Sequence, residues 1–225
     1  MELIRTEKLN KSYASGDNTI VVLKDLNLEI LKGETLAIVG PSGAGKSTLL
    51  NVLGALDRPN SGEIFFKGKA LSTYSESALA TFRNKNIGFV FQSHHLLSEF
   101  SALENVMLPA LIGGLSYAEA SKKAKNLLSE VGLGKRLTHK PGQLSGGEQQ
   151  RCAIVRALLQ EPEVILADEP TGNLDTTKGE EVFNLLLRFN LEKKVTLIMV
   201  THNEALASRM EKRLVMKDGL LSSEN

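Results

Sequence analysis

Nine consecutive residues, Gly40-Pro41-Ser42-Gly43-Ala44-Gly45-Lys46-Ser47-Thr48, carry the most specific chemistry in this chain. The spacing Gly40-x-x-x-x-Gly45-Lys46-Ser47 suits a loop that wraps phosphate: glycines let backbone N–H groups turn inward around the oxygens, where a Cβ would obstruct them. Lys46 would neutralise β- and γ-phosphates, and the Ser47 hydroxyl would ligate Mg²⁺. Another segment, Val164-Ile-Leu-Ala-Asp168-Glu169, ends an apolar run on two acids. Asp168 could reach the same Mg²⁺ through water, and Glu169 could polarise an attacking water, a role worth ~10²–10⁴-fold in rate. His202, after Thr201, is placed to contact the γ-phosphate and orient the nucleophile. Gln92, after Ile87-Gly-Phe-Val-Phe91, could offer its carbonyl to Mg²⁺ or water.

A further phosphate-grasping segment is Leu144-Ser145-Gly146-Gly147-Glu148. A single nucleotide needs a single cradle, so Ser145, Gly146 and Gly147 are expected to serve a nucleotide held by another copy of the chain. That implies a dimeric ATPase whose halves close on ATP.

These groups need particular elements behind them. Leu36-Ala-Ile-Val39, Val164–Ala167 and Leu197-Ile-Met-Val200 are apolar throughout, the pattern of parallel strands covered on both faces. Leu49, Leu50 and Leu53 open a helix directly after the phosphate loop, whose positive end adds roughly 0.3–1 kcal/mol of attraction for an anion. Leu26, Leu28 and Ile30 alternate with Asn27, Glu29 and Leu31 as a half-buried strand, and Glu63–Lys67 forms another before Gly68. Arg213–Lys217, Asp218-Gly219 and Leu220-Leu221 read as a terminal hairpin. Ser116 and Glu119 form a capping box ahead of Ala120, Ala124, Leu127, Leu128 and Val131, stopped by Gly132. Thr177 and Glu180 predict the same box before Val182, Leu185, Leu186 and Phe189. The helix opened by Ser145 runs through Arg151, Ile154 and Ala157. The whole predicts a parallel-sheet core interrupted by a helical lobe over residues 93 to 158.

With 225 residues, 42% hydrophobic and 24% charged, the chain can build one large core or a core with a small lobe. Its 27 basic and 26 acidic residues leave a net charge of +1, without the basic excess of a nucleic-acid binder. Cys152, the single cysteine, falls in an apolar helical pattern and is expected to be a packed core residue. No signal peptide and no run of ~18 apolar residues is visible, so membrane contact is expected only through other subunits. An Asn-Lys-x-Asp guanine motif is missing: Asn10-Lys11-Ser12-Tyr13 and Asn84-Lys85-Asn86-Ile87 both lack the aspartate.

Over nearly its whole length the chain resembles the nucleotide-binding subunit of an ABC transporter. In that family's terms Gly40–Thr48 is the Walker A loop, Gln92 the Q-loop residue and Leu144–Glu148 the signature. Val164–Asp168 is similar to the Walker B strand, with Glu169 the catalytic glutamate. Asn173-Leu174-Asp175 matches the D-loop, His202 the switch histidine, and Tyr13 sits where the family stacks an aromatic on adenine. The resemblance implies an α/β P-loop NTPase fold in a single domain, residues 1–225. A core from 1–92 and 159–225 would include an N-terminal antiparallel β subdomain, and 93–158 would be an inserted helical signature subdomain. It also implies ATP with Mg²⁺, a head-to-tail homodimer on ATP binding, integral membrane transporter subunits as partners and no nucleic acid. The family's commonest signature ends in glutamine; Glu148 departs from it, which bears on that side chain alone. Phe91-Gln-Ser-His94-His95-Leu-Leu97 and Ala167–Asp175 are similar to the branch that drives bacterial lipoprotein release with LolC/LolE-like subunits at the cytoplasmic face of the inner membrane. MacB-like efflux and FtsE-like cell-division systems share that branch. His94 and His95, adjacent and without cysteine or carboxylate clusters, make poor zinc ligands and are expected in a loop that docks a coupling helix of the membrane subunit.

Overall fold

The all-apolar runs form the inner strands of a six-stranded sheet. β3 (Thr35–Val39), β7 (Val164–Asp168) and β8 (Thr196–Val200) lie side by side, in the order β10-β9-β3-β8-β7-β6. The computed structural model describes residues 1–16 and 18–223. β6 (Ile87–Phe91) and β9 (Lys212–Lys217) flank that trio in parallel register, with Phe91 opposite Asp168, Asp168 opposite Val200 and Ile38 opposite Leu214. β10 (Leu220–Ser223) turns back antiparallel on β9 through Asp218-Gly219, both at positive φ, as the predicted hairpin requires.

Alternation explains why the runs Leu36–Val39, Val164–Ala167 and Leu197–Val200 within these strands are apolar at every position. Leu36, Ile38, Val164, Leu166, Ile198 and Val200 face one cluster, which holds Leu49, Leu50 and Leu53 of α1 (Lys46–Leu53). Ala37, Val39, Ile165, Ala167, Leu197 and Met199 face the opposite cluster, with Phe183, Leu186 and Phe189 of α6 (Thr176–Lys193). Each face of the sheet is thus covered, and only Asp168, at the C-terminal end of β7, is less than fully buried on these three strands.

A second sheet, ordered β2-β1-β4-β5, is antiparallel. β1 (Glu2–Ser15) and β2 (Asn18–Leu31) make a long ribbon, with β4 (Ser61–Phe66) and β5 (Lys69–Ala70) beside β1. The predicted strand around Leu26–Ile30 is therefore the second half of a longer one. Leu23, Leu26, Leu28 and Ile30 are buried against α1, whereas Asn18 to Val21 are exposed on both faces and carry no alternating signal.

Helix α2 (Glu76–Asn86) leads into β6. Between β6 and β7 come α3 (Ala102–Ile112), α4 (Tyr117–Glu130) and α5 (Gly146–Leu158), all within the segment expected to be helical. The Ser116/Glu119 box is present: Ser116 Oγ accepts the Glu119 N–H and the Glu119 carboxylate accepts the Ser116 N–H. Gly132 follows at φ 78. The Thr177/Glu180 box does not form. Asp175 caps α6 instead, accepting the Lys178 N–H at 3.0 Å, which leaves Thr177 and Glu180 inside the helix. An aspartate just upstream outcompetes a threonine for the free N–H groups, and Glu180 pairs with Arg209 at 2.6 Å. Short α7 (Glu204–Ala207) follows β8. Among the described residues no helix is long and apolar enough to cross a membrane.

Candidate functional site

The phosphate loop leaves β3 and enters α1 through glycines whose neighbours exclude any side chain. Gly40 has φ 144, and a Cβ there would lie 2.1 Å from the Met216 carbonyl oxygen of β9. Gly45, at φ 106, stands at the N-cap of α1 with no side-chain cap bond, so the first-turn N–H groups remain available to an anion. Lys46 is buried, and its Nζ donates to the carbonyls of Gly40 and Pro41, each at 2.8 Å. Its charge is held over the loop it would serve.

Because the parallel strands all end on one side, their C-terminal loops converge on the P-loop. A cavity of about 820 Å³ is lined there by Gly40, Ser42, Gly43, Gly45, Lys46, Ser47 and Thr48, with Tyr13, Gln92, Asp168, Glu169 and His202 around them. Pro41 and Ala44 belong to the loop without lining the cavity; Ala44 is buried beneath it. Asp168 is half-buried, which pushes its carboxyl above the ordinary range; the Ser47 hydroxyl donates to it and works the other way, while Glu169 adds to the rise. This hydroxyl–carboxylate pair is the oxygen set that could hold a hard cation at the loop.

Glu169 sits at φ 48, a left-handed conformation uncommon for a side-chain-bearing residue. Its N–H donates to Val200 at 2.9 Å and its carbonyl accepts from Gly172 at 3.0 Å, which fix the turn. The turn aims the carboxylate at His202, whose Nδ1 lies 2.9 Å from Oε2. Gln92 is tied to the loop after β7 from both ends of its residue: Nε2 donates to Asn173 Oδ1 and its carbonyl accepts from Asn173 Nδ2, each at 3.0 Å. A Cβ on Gly172 would lie 2.7 Å from the same Nε2.

Tyr13 holds one wall. Its hydroxyl donates to Asp57 at 2.8 Å, and Lys11 Nζ, itself 2.7 Å from Asp57, lies 4.8 Å from the ring centroid. Burial and the Asp57 acceptor both raise the Tyr13 hydroxyl's pKa. Ile20, Val22 and Val200 complete the apolar part of the cavity and were not foreseen. Ile20 pairs with Tyr13 across the β1–β2 ribbon, so the available signal was an apolar residue two positions from Val22 with no core to fill.

Ser145, Gly146 and Gly147 do not line this cavity, and neither does Asp175, which borders a separate hollow with Thr171, Gly172, His202 and Asn203. Ser145 caps α5 and receives the Glu148 N–H at 3.3 Å, while the Glu148 carboxylate accepts the Ser145 N–H at 2.8 Å. The acidic fifth residue of this segment is thus a capping-box partner. His94 and His95 both have positive φ, and Arg156 donates to their carbonyls at 2.7 and 2.6 Å. The His94 ring meets the Gln150 side chain. Cys152 is fully buried, and burial pushes its thiol up to about 12.

A cationic loop at a helix start, facing two carboxylates and a histidine, is suited to hydrolysis of a phosphoanhydride. The ABC transporter family model matches residues 23–172. The lipoprotein-releasing system ATP-binding protein LolD of Syntrophus aciditrophicus is 53% identical over 217 residues, covering 96% of this chain and 97% of its own. That of Geobacter metallireducens is 55% identical over 217 residues, covering 96% of each. The dimeric post-hydrolysis structure of the ATP-binding cassette MJ0796 with ADP and Pi superposes with a TM-score of 0.91 at 40% identity, covering 99% of this chain and 98% of that one.

Proposed function

This chain belongs to the ABC transporter family, and we propose that it is the ATP-binding subunit of a bacterial lipoprotein-releasing system. The observation that carries the assignment is end-to-end identity of 53% and 55% to two ATP-binding proteins of that system. In this reading the chain lies on the cytoplasmic face of the inner membrane and drives integral membrane subunits of the LolC/LolE kind. Leu97 and Phe100, exposed beyond Gln92, belong to the surface that meets them.

The chemistry follows from the cavity. Tyr13, with Ile20 and Val22, receives the adenine. The P-loop N–H groups and the start of α1 take the phosphates, and Lys46 exchanges the Gly40 and Pro41 carbonyls for phosphate oxygens. Ser47, Asp168 and Gln92 would hold Mg²⁺, whose oxygen preference suits them and which would neutralise charge on the phosphates. Glu169 accepts the proton of the attacking water, and His202 keeps the carboxylate in position beside the γ-phosphate. Ser145, Gly146, Gly147 and Asp175, outside the chain's own cavity, act on the nucleotide of a second copy, so a two-fold dimer encloses two ATP molecules. The segment 93–158 acts as a signature subdomain on the core formed by 1–92 and 159–225. Hydrolysis removes the γ-phosphate that both copies share and the dimer loosens, an equilibrium shifted by differential affinity for the closed state.

Reconstitution tests the assignment. The chain, co-purified with its membrane subunits and placed in proteoliposomes carrying an acylated lipoprotein, is expected to release that lipoprotein in an ATP-dependent manner. Stimulation of ATPase activity by macrolide or peptide, with none by lipoprotein, would overturn the assignment to lipoprotein release.

A further inference from the structure

Glu148 places a carboxylate at the end of α5 that receives a partner's γ-phosphate in the reading above. Negative groups at one helix end compete for the same partial positive charge. The structure supplies a cation beside them. While one Glu148 oxygen caps the Ser145 N–H at 2.8 Å, the other accepts Arg136 Nε at 3.1 Å. Arg136 is held rather than free. It belongs to the turn between α4 and α5, closed by the His139 N–H on the Arg136 carbonyl at 2.9 Å. Its Nη1 lies 3.1 Å from His139 Nε2. The turn is pinned to the first residues of α3, where Ala102 and Leu103 donate to the carbonyls of His139 and Leu137 at 2.8 and 3.0 Å. The Ser145 N–H and the Arg136 guanidinium hold the Glu148 carboxyl below the usual range, so its charge is present and the guanidinium lies against it.

We propose that Arg136 is a positioning residue for the ATP-driven dimer. It neutralises Glu148, so that this carboxylate can cap α5 and present Ser145 without repelling the γ-phosphate that Ser145, Gly146 and Gly147 receive from the partner copy. The inference rests on the trans-phosphate reading and adds a charge-compensating pair to it. A glutamine at 148 would cap the same N–H through its amide oxygen with no charge to offset. Arg136 and the residue at 148 are therefore coupled: the guanidinium matters only when its partner is acidic.

The test is an ATP titration of dimer formation, read by light scattering, on the full chain carrying Glu169→Gln, so that the dimer is not lost to hydrolysis, and on the same chain with Arg136→Ala, with Glu148→Gln and with both. Arg136→Ala is expected to raise the ATP concentration for half-maximal dimer about fivefold, the scale of a charge at a helix end. The deficit should shrink with added salt, and Arg136→Lys should recover part of it. In the Glu148→Gln background the same Arg136→Ala change should cost less than about twofold. Nucleotide binding to the monomer, at the chain's own cavity, reports that each variant is folded, and Arg136→Gln replaces Arg136→Ala if that one is not. A loss from Arg136→Ala that is equal in both backgrounds, or absent with Glu148 present, overturns the proposal. Ser145→Arg separates this failure from a failure of the trans site. If Ser145→Arg still dimerises on ATP, the trans reading falls; if it does not and Arg136→Ala is harmless, the charge pair alone falls.

Discussion

Replacing Glu169 by glutamine separates what its carboxylate does from what its backbone does. The turn at Glu169 is held by its N–H on Val200 at 2.9 Å and by Gly172 on its carbonyl at 3.0 Å, and neither bond involves the side chain. The side chain is 17% exposed and faces His202 Nδ1 at 2.9 Å and the His202 N–H at 3.4 Å. Glutamine has the same shape and keeps an acceptor for those donors, so stability should change by no more than about 0.5 kcal/mol. What is lost is basicity. A general base contributes ~10²–10⁴-fold, roughly 2.7–5.5 kcal/mol of barrier. Phosphate release at saturating ATP should therefore fall at least about a hundredfold. ATP affinity should stay within a factor of about three, because the phosphate contacts are elsewhere. Light scattering on the same sample should show a dimer that accumulates, since the shared γ-phosphate is no longer removed. Turnover within about tenfold of the parent would place the base on another residue. Slow turnover with a monomer at saturating ATP would refute the two-copy site.

Lys46→Ala removes a charge-assisted contact worth roughly 1.5–3 kcal/mol; calorimetric titration should show ATP affinity lower by about ten- to a hundredfold, and unchanged affinity would contradict the phosphate role. Asp168→Asn should stabilise the chain without nucleotide. Burial raises the folded-state pKa of Asp168, so the folded form holds its proton more tightly than the unfolded form. Its contribution is most favourable below the ordinary carboxylate pKa and is lost as pH rises through the folded value. Scanning calorimetry at pH 7 should give a higher Tm for the variant, each kcal/mol appearing as roughly 2–4 °C, with the difference closing toward acid pH; a lower Tm at pH 7 would contradict it. With its thiol pushed up to about 12 and fully buried, Cys152 should resist a disulfide reagent at pH 8 until the chain is unfolded, and rapid labelling of native protein would count against that placement.

The glycine loop between β3 and α1 was legible because backbone geometry leaves little choice of residue type. Gly40 and Gly45 sit where β9 and β2 crowd the loop, and only glycine fits. The inner strands were equally plain, since burial on both faces demands apolar residues throughout. Capping was legible only where no competitor stood nearby. Ser116 had no rival, but Asp175 lay two residues ahead of Thr177 and took the helix start. Ser101/Glu104 and Ser145/Glu148 carry the same Ser-x-x-Glu spacing and form boxes that could have been read in advance. The exposed half of the β1–β2 ribbon escaped notice because neither face of residues 18–21 is buried, so Ile20 had no buried neighbour on its own face before Val22. The Tyr13–Asp57–Lys11 network spans 46 positions of sequence from Lys11 to Asp57, beyond the reach of any local pattern.

The paired amide contacts between Gln92 and Asn173 have a bearing on how a distant signal travels. They join the strand exit that precedes the helices to the turn that follows Glu169, and they do so between uncharged groups. Nothing in the latch titrates, and ionic strength has little to screen. The ion pairs on the exterior weaken with salt and acid, whereas this splice keeps its grip, so mechanical communication between those segments should persist in conditions where surface electrostatics has been quenched.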